Sequence, residues 1–296
     1  MDLTNDVGVI IVNDGTDVHL TKEFFSRYSY PIEYHLNEHK GVSATRNACL
    51  DYATADYVMF CDADDMFYNA CGLYIIFREF DNEGFDTLTS VFLEEGRDEN
   101  KIPFYINHDI DSTFVHGKVH RRQFLIDNNI RWNDSLTIHE DSYFNCLCQK
   151  LAQNAKYCPS PFYLWRWRDA SVCRHDPKYI LKTYNNMLDS NEALINQFLD
   201  RNRKEDAQFY ATSMIYDAYF TMNKDEWLNQ ENKEYRHATE IRFKNYWLRY
   251  KKLHDSTPVF VRNQIIMAIK NRMYMEGMVL ETLTFNEWIK QVEAII

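Results

Sequence analysis

An apolar run that ends in three carboxylates constrains this chain more than any other feature. Residues 57–61 are Tyr-Val-Met-Phe-Cys, which predicts a buried strand, and Asp62, Asp64 and Asp65 follow within four positions. Like charges this close repel one another, so the arrangement is unfavourable unless a cation or hydrogen bonds compensate. In an open α/β sheet, ligands bind beyond the carboxyl ends of the strands. Two interpretations remain open here: a site for Mg²⁺ or Mn²⁺ with a diphosphate, or an acidic turn.

Three further segments accompany this one in a fixed order. A strand-like run over 9–12 ends in an acidic turn at Asp14, the polar segment Asn37–Ala48 precedes the acidic strand end, and His139–Asn145 follows it. Together the four segments resemble the motifs of the family 2 glycosyltransferases of the GT-A fold. The resemblance extends over about residues 8–175. It implies an enzyme that moves a sugar from a nucleotide-diphosphate sugar, with UDP as the expected nucleotide, to an acceptor hydroxyl of a glycan or glycoconjugate.

Composition agrees with a folded protein that does not bind nucleic acid nonspecifically. Hydrophobic residues make up 45% of the chain and aromatic residues 15%, which argues against disorder. A formal net charge of -11 lacks the basic footprint that binding along a nucleic-acid backbone needs. The 7 Cys residues are scattered and odd in number, which favours free thiols in a reducing cytosol. Because no signal peptide and no membrane-spanning apolar run is found, we expect a cytoplasmic protein.

Strand and helix signals alternate in the first part of the chain. This pattern predicts a Rossmann-like α/β domain over residues 1–175, with a mostly parallel sheet covered by helices on both faces. Ser43 is the expected N-cap of the second helix. The expected strands are 8–12, 32–36, 57–61, 86–93 and 157–165, and the expected helices are 21–28, 43–54, 68–81, 119–128 and 140–155.

The second part, residues 176–296, is predicted to be a helical C-terminal domain. Asp176-Pro177 is a favourable helix start, because Asp caps and Pro suits the first helical position. Breaks are expected near Asn202, within Asn223–Asn232 and at Ser256–Pro258. A capping-box pattern at Thr284–Glu287 predicts the start of the last helix.

The resemblance implies a donor site at the strand ends. Asp14 would accept a hydrogen bond from the nucleotide base, and Arg46 would lie against the nucleotide. Asp62 would contact the ribose and the metal, and Asp64 would be the direct ligand of Mn²⁺ or Mg²⁺. Ordinary alternatives remain: Asp14 as a turn former, Arg46 as a surface residue of a helix, and Asp65 as a cap of the segment that follows.

The resemblance also implies the catalytic base. In an inverting transfer the acceptor hydroxyl attacks the anomeric carbon on the face opposite the leaving diphosphate, and a positioned carboxylate takes its proton. Asp141 is the residue implied, with Glu140 supporting it through hydrogen bonds and His139 given no role. The residues alone leave another interpretation open, since acidic residues also favour the first turn of a helix.

An aromatic and basic segment, Tyr163–Val172, resembles the one that follows the catalytic helix in many bacterial members. Arg166 or Arg168 would stabilise charge on the departing diphosphate together with the metal. The alternative is an edge strand with exposed arginines. The longer QxxRW signature of processive synthases is absent, which favours transfer of a single sugar.

A second basic and aromatic stretch lies at residues 242–252, in the helical part. Such a helix either docks on an anionic membrane surface or acceptor, or packs its aromatic side chains inward and solvates its lysines. We favour inward packing. A membrane surface and a second copy of the chain are the further partners considered.

One departure from the family affects the sheet. Members carry an additional strand and helix before the strand that ends at the Asp14 turn, whereas this chain enters that strand directly after Met1–Asp6. The absent strand would be interior to the sheet and would contribute to the base pocket, and each unpaired buried backbone group would cost about 1–3 kcal/mol. A shortened gene start, a replacement strand or a degenerate enzyme would each explain it.

Three functions therefore compete. The first is a metal-dependent, inverting glycosyltransferase that uses a nucleotide-diphosphate sugar. The second is a non-catalytic GT-A-like scaffold, which the absent strand makes credible. The third is transfer of sugar to bases of viral DNA, against which the net charge of -11 argues. Retention of Asp14, Asp62, Asp64 and Asp141 together favours the active enzyme, because a relic has no reason to keep carboxylates that repel one another.

Overall fold

The structure, a computed structural model, describes residues 6–16, 20–80, 84–109, 111, 113–169, 182–275 and 283–296. Its contacts divide the chain into two units, Met1–Ser171 and Val172–Ile296. The boundary expected between residues 175 and 176 falls within 170–181, which lie outside the described residues, as does the helix start expected at Asp176-Pro177.

Strands and helices alternate through the described part of the first unit. The strands are β1 (Val9–Asp14), β2 (Ile32–Asn37), β3 (Tyr57–Met59), β4 (Met66–Phe67), β5 (Thr87–Arg97), β6 (Pro103–His108), β7 (Lys118–Arg121) and β8 (Ala155–Trp165). The helices are α1 (Lys22–Phe25), α2 (Val42–Tyr52), α3 (Gly72–Arg78), α4 (Arg122–Asp127) and α5 (Glu140–Leu151).

The strands of the first unit pair in both parallel and antiparallel directions. β1 and β2 form a parallel pair, and the other strands form a six-stranded sheet in the order β3-β7-β5-β8-β4, with β6 also paired to β5. Of the described strand pairs, β1–β2 and β5–β8 are parallel, whereas β3–β7, β5–β7, β5–β6 and β4–β8 are antiparallel. The expectation of a mostly parallel sheet is corrected on this point, because β4, β6 and β7 were not foreseen.

The described strands of the first unit form two separate sheets. Among the described strands, β1 pairs with β2 alone and β3 pairs with β7 alone, so the two sheets share no strand. Every residue of β1 is half-buried, although four of the six are branched aliphatic residues that favour burial.

Two local predictions are wrong. Residues 119–121 belong to β7, and the helix expected over 119–128 begins only at Arg122. Gly41, with φ 89°, is the N-cap of α2, and the Ser43 hydroxyl donates instead to the carbonyl of Leu136, 3.0 Å away. Ser43 thus contacts a distant segment and does not cap its own helix.

The secondary-structure elements that the structure describes in the second unit are all helices. They are α6 (Tyr184–Asp200), α7 (Lys204–Met222), α8 (Asp225–Leu228), α9 (Lys233–Ser256), α10 (Val259–Met275) and α11 (Phe285–Ala294). The breaks agree with the expected ones, and the Thr284 side chain and Glu287 form the predicted capping box. Among these residues, no helix combines the length and the hydropathy that crossing a bilayer requires.

The basic stretch of α9 packs inward. Phe243, Tyr246, Trp247 and Tyr250 are buried, which is the arrangement we favoured. Three of its cations pair with carboxylates of the same unit: Arg242 with Asp189 and Glu192, Arg249 with Glu192, and Lys251 with Glu293. Contact of this stretch with a membrane stays a prediction without structural support.

Candidate active site

The three carboxylates that follow β3 each have a different partner. Asp62 accepts a hydrogen bond from Arg46 at 2.9 Å, and Asp64 pairs with the guanidinium of Arg168. Asp65 accepts from the Tyr163 hydroxyl at 2.6 Å and from the Arg166 backbone N–H at 3.0 Å. The like charges foreseen from the sequence are therefore compensated one by one.

Asp65 does not cap the segment that follows it, as one interpretation of the sequence had it. Its side chain is only 1% exposed, and α3 begins several residues later with Cys71 as N-cap. Burial raises the pKa of Asp65 to about 6; the charges of Asp62 and Asp64 act in the same direction, while the hydrogen bonds from Tyr163 and Arg166 oppose them. Asp65 is thus a buried carboxylate that lies beside Asp62 and Asp64.

Arg46, on α2, links the acidic strand end to the start of α5. One terminal nitrogen donates to Asp62 and the other donates to Glu140 Oε1, each at 2.9 Å. Its side chain is 10% exposed, and its guanidinium carbon lies 4.6 Å from the centre of the Trp132 ring. Burial lowers the pKa of Arg46, but the charges of Asp62 and Glu140 raise it by more. A fully charged guanidinium therefore joins the two acidic parts of the site.

The next residue of α2, Asn47, fastens the segment that leads to α5. Its amide nitrogen donates to the Trp132 carbonyl at 2.9 Å and to Asp134 at 2.8 Å, and its amide oxygen accepts from the Trp132 N–H at 2.9 Å. With the bond from Ser43 to Leu136, α2 holds residues 132–136 at several points. The Arg-Asn pair of the sequence motif thus has a visible structural role.

Asp141 lies in the first turn of α5, after His139 in a left-handed conformation with φ 63°. Burial raises the pKa of Asp141 to about 7; the charge of Glu140 adds to this, while Arg46, Lys118 and the Ser142 N–H oppose it. A carboxylate with a pKa near neutrality suits general-base work at neutral pH. Asp141, Glu140, Arg46 and Asp62 are accordingly brought together.

Asp14 stands slightly apart, at the end of β1. It accepts from the backbone N–H groups of Lys40 at 2.8 Å and Gly41 at 3.0 Å, and its carboxylate lies 2.9 Å from the His39 ring. Burial raises the pKa of Asp14, but these hydrogen bonds and one from Thr45 lower it by more. Asp14 thus anchors β1 to the start of α2, and its contact with a nucleotide base stays a prediction.

Arg168 and Arg166 differ in how they meet the acidic segment. The Arg168 side chain, 56% exposed, pairs with Asp64, whereas Arg166 reaches Asp65 through its backbone N–H. The structure thus places the guanidinium of Arg168 against Asp64.

Two site residues escaped the sequence analysis. His116 is 5% exposed, and its ring lies 3.7 Å from the Asp65 carboxylate. His116, Asp65 and Asp62 each offer one possible metal-ligand atom, and these atoms lie within 4.8 Å of one another. Lys118 is 1% exposed, donates to the Phe114 carbonyl, and has its pKa lowered by burial to about 8. Neither carries a local signal, because a lone His or Lys in a sequence shows nothing of its distant neighbours.

Comparison with known proteins agrees with this architecture. The family described as Glycosyl transferase family 2 matches residues 3–146, which contain Asp14, Arg46, the acidic segment and Asp141. The chain is also similar to the minor teichoic acid biosynthesis protein GgaB of Bacillus subtilis (strain 168), with 28% identity over 173 residues that make up 51% of this chain and 18% of GgaB. The chain therefore spans only a small part of the length of this relative.

Solved structures show the same fold. The crystal structure of S. aureus TarS 1-349 has a TM-score of 0.60 and 14% identity, with 94% of this chain and 85% of that chain covered. TarS 1-349 in complex with UDP-GlcNAc gives a TM-score of 0.60 at 15% identity, with the same coverage. Residues 3–146 thus match the model of glycosyl transferase family 2, and the chain shares the GT-A-like fold of the TarS structures.

Proposed function

We propose that this protein transfers one sugar, with inversion, from a UDP-sugar to a hydroxyl of a glycan or glycoconjugate. The observation that carries the proposal is the Arg46 bridge, which joins Asp62, expected at the donor, to Glu140, the neighbour of the expected base. A single guanidinium thereby sets the spacing between the donor and the group that activates the acceptor. Positioning of this kind supplies a large share of catalysis in group transfer.

Asp141 is proposed to take the proton of the acceptor hydroxyl as that oxygen attacks the anomeric carbon. The new bond forms to the acceptor oxygen, the bond to the diphosphate oxygen breaks, and the electron pair leaves with the diphosphate. Support comes from the burial of Asp141, which raises its pKa to about 7 and makes the carboxylate a stronger base than an exposed Asp. Glu140 accepts the Arg46 bond and thereby fixes the first turn of α5.

The nucleotide and the acceptor are proposed with the help of the relatives. TarS 1-349 has been crystallised with UDP and with UDP-GlcNAc, which favours a UDP-sugar as the donor here. GgaB is named for teichoic acid biosynthesis, which favours a cell-wall glycopolymer as the acceptor. Asp14 and Arg46 are proposed donor-side residues, the first at the base and the second through its bond to Asp62.

A divalent cation, Mn²⁺ or Mg²⁺, is proposed at the acidic segment after β3. The donor set fits, since clustered carboxylates and a diphosphate are the oxygen ligands that such cations take. The resemblance assigns Asp62 and Asp64, and the bound cation would supply positive charge to the leaving diphosphate. Arg168 already lies at this segment, paired with Asp64, and is proposed to stabilise the same charge, with Arg166 beside it.

Slow hydrolysis of UDP-sugars, which needs no knowledge of the acceptor, tests the proposal. We expect release of UDP from at least one of a panel of UDP-sugars with Mn²⁺, and its loss in Asp141→Asn. Asp127→Asn, on the exposed side of α4, is the matched control and should keep the activity. If no UDP-sugar is hydrolysed or stabilises the folded protein, the proposed donor is wrong.

A further inference from the structure

The geometry around the acidic segment after β3 points to metal ligands other than the Asp62–Asp64 pair. Asp62, Asp65 and His116 offer ligand atoms that all lie within 4.8 Å of one another. We propose that Asp62, Asp65 and His116 hold the cation of the donor complex, in place of the expected Asp62–Asp64 pair. The inference rests on the proposed use of a UDP-sugar with a metal and names the ligands of that site.

The position of Asp65 is set from two sides. Its own N–H donates to the Asp62 carbonyl at 3.0 Å, which closes a turn and brings the two residues together. The Tyr163 hydroxyl and the Arg166 N–H then hold the two carboxylate oxygens of Asp65 at 2.6 and 3.0 Å. Hydrogen bonds of this kind around a ligand fix its orientation and raise the affinity for a metal.

The position of His116 is set by the turn that precedes β7. Gly117 follows it with φ 65°, and the Gly117 carbonyl accepts from both the N–H and the hydroxyl of Ser90 on β5, at 2.9 and 3.1 Å. The His116 ring packs against Tyr163 and Trp165, with ring centres 4.9 and 5.1 Å away. A buried imidazole held this firmly beside a buried carboxylate is an arranged pair, not a surface coincidence.

Asp64 is engaged elsewhere. Its carboxylate pairs with Arg168, and it is not part of the three-residue cluster that the described residues form. Asp62 is the carboxylate common to both ligand sets, and at 38% exposed it is the most accessible member of the cluster. A diphosphate would complete the coordination shell from this open side.

The donor set bears on which cation binds. Carboxylate oxygens alone suit Mg²⁺, whereas an imidazole nitrogen raises the affinity for transition metals. With two carboxylates and one imidazole, the cluster is expected to prefer Mn²⁺ to Mg²⁺. The chemical class of the ligand is thus a first-row divalent cation bound together with a nucleoside diphosphate.

Electron spin echo spectroscopy of Mn²⁺ tests this directly in the unaltered protein. With UDP present, the bound Mn²⁺ should show a coupling to nitrogen, and labelling of the histidines with ¹⁵N should change its frequency. His116→Gln should abolish the coupling. A spectrum of the UDP complex without histidine nitrogen overturns the proposal, and so does a coupling that persists in His116→Gln.

Mn²⁺ affinity in the presence of UDP supplies a second readout. His116→Gln and Asp65→Asn should weaken it by about tenfold or more, whereas Asp64→Asn should stay within about twofold of the unaltered protein. The reverse order would overturn the proposal in favour of the Asp62–Asp64 pair. UDP-sugar hydrolysis, followed in parallel, separates the two hypotheses: hydrolysis with a spectrum free of histidine nitrogen refutes the ligand set but leaves the proposed function standing.

Discussion

Arg46 lies over the indole ring of Trp132, with its guanidinium carbon 4.6 Å from the ring centre. Trp132 in turn stacks on Phe144 of α5, with ring centres 4.2 Å apart and an interplanar angle of 1°. The cation therefore rests on a rigid aromatic pair, and such contacts contribute about 0.5–2 kcal/mol. Because its base is fixed, the guanidinium holds Asp62 and Glu140 at a defined separation.

Removal of this cation should destabilise the fold. Arg46→Met should lower the free energy of unfolding by about 3 kcal/mol, because Glu140 is left partly buried without its partner. Asp62 adds little, since at 38% exposed its charge is screened by solvent. Urea unfolding measures the loss. The double variant R46M/E140Q should recover part of it, and equal losses in the single and double variants would contradict the role assigned to the bridge.

Asp141 should matter for transfer and little for donor binding. Asp141→Asn keeps the shape of the side chain but removes the base, so the rate of transfer should fall about a hundredfold or more. Calorimetry should give a UDP affinity close to that of the unaltered protein. A variant that retains transfer would place the base elsewhere, with Glu140 the first candidate.

The pH dependence of transfer should follow the same carboxylate. Burial raises the pKa of Asp141 to about 7, with Glu140 adding to the effect and Arg46 and Lys118 opposing it. Since only the ionised form accepts a proton, kcat should rise with pH up to about 7 and then level. A rate–pH profile with its midpoint near the ordinary value of 3.8 would show that Asp141 is not the titrating group.

The contribution of Asp141 to the free energy of unfolding should fall as pH rises, whereas kcat should rise. Folded Asp141 keeps its proton to about pH 7, whereas in the unfolded chain it loses it near 3.8. Over that interval the folded state binds more protons, so the contribution of Asp141 to the free energy of unfolding falls as pH rises. Asp141→Asn should therefore melt higher than the unaltered protein above pH 7 and show little difference in acid. A lower melting temperature of the variant at alkaline pH would mean that the ionised carboxylate is stabilised in the fold.

Metal and nucleotide should bind together. Clustered Asp residues hold Mn²⁺ weakly until a diphosphate completes the shell, so UDP should raise the melting temperature more with Mn²⁺ than with EDTA. Asp62→Asn should remove the difference, because Asp62 belongs to either ligand set. Equal stabilisation by UDP in EDTA would argue against a metal at this site.

The turn that carries His116 should be sensitive to a single methyl group. A Cβ at Gly117 would lie 2.6 Å from the Ser90 hydroxyl, at a backbone φ of +65°. Gly117→Ala should therefore cost about 1–2 kcal/mol for the left-handed backbone alone, plus the steric term. Gly8→Ala is the control, because its φ is not in the left-handed region and a Cβ there would meet only the Pro31 carbonyl oxygen, at 3.9 Å. Urea unfolding should show a larger loss for Gly117→Ala, and the reverse order would contradict the steric argument.

The parts of the fold with strong local signals were predictable. β1, β2, β5 and β8 lie close to the places that the sequence predicts, and the capping box at Thr284 follows directly from its residue pattern. β7 escaped because its four residues include Lys118 and His120, which are polar yet buried. A pattern of hydrophobic periodicity cannot find such a strand.

The residues of the candidate site were predictable from the sequence in part only. The motif residues were identified through their resemblance to a family, and the structure places Arg46, Asp62, Glu140 and Asp141 together. Their pairings were out of reach of the sequence, since Arg46 and Glu140 are separated by 94 positions. His116 was missed for the same reason: its neighbours Asp65 and Tyr163 come from distant parts of the chain.

The contacts between α2 and residues 132–140 have a consequence for how the protein folds during its synthesis. Asn47 and Asp134 are 87 positions apart, and Arg46 and Glu140 are 94 apart. While the ribosome is still extending the chain toward α5, Asn47 cannot yet bind residues 132–136, and Arg46 can pair with Asp62 but not with Glu140. Domains form from the N-terminus as synthesis proceeds, but here the first helix of the site must wait for the last one. A pause in translation before residues 132–140 leave the ribosome would therefore expose the face of α2 that carries Arg46, Asn47 and Leu50 to chaperones.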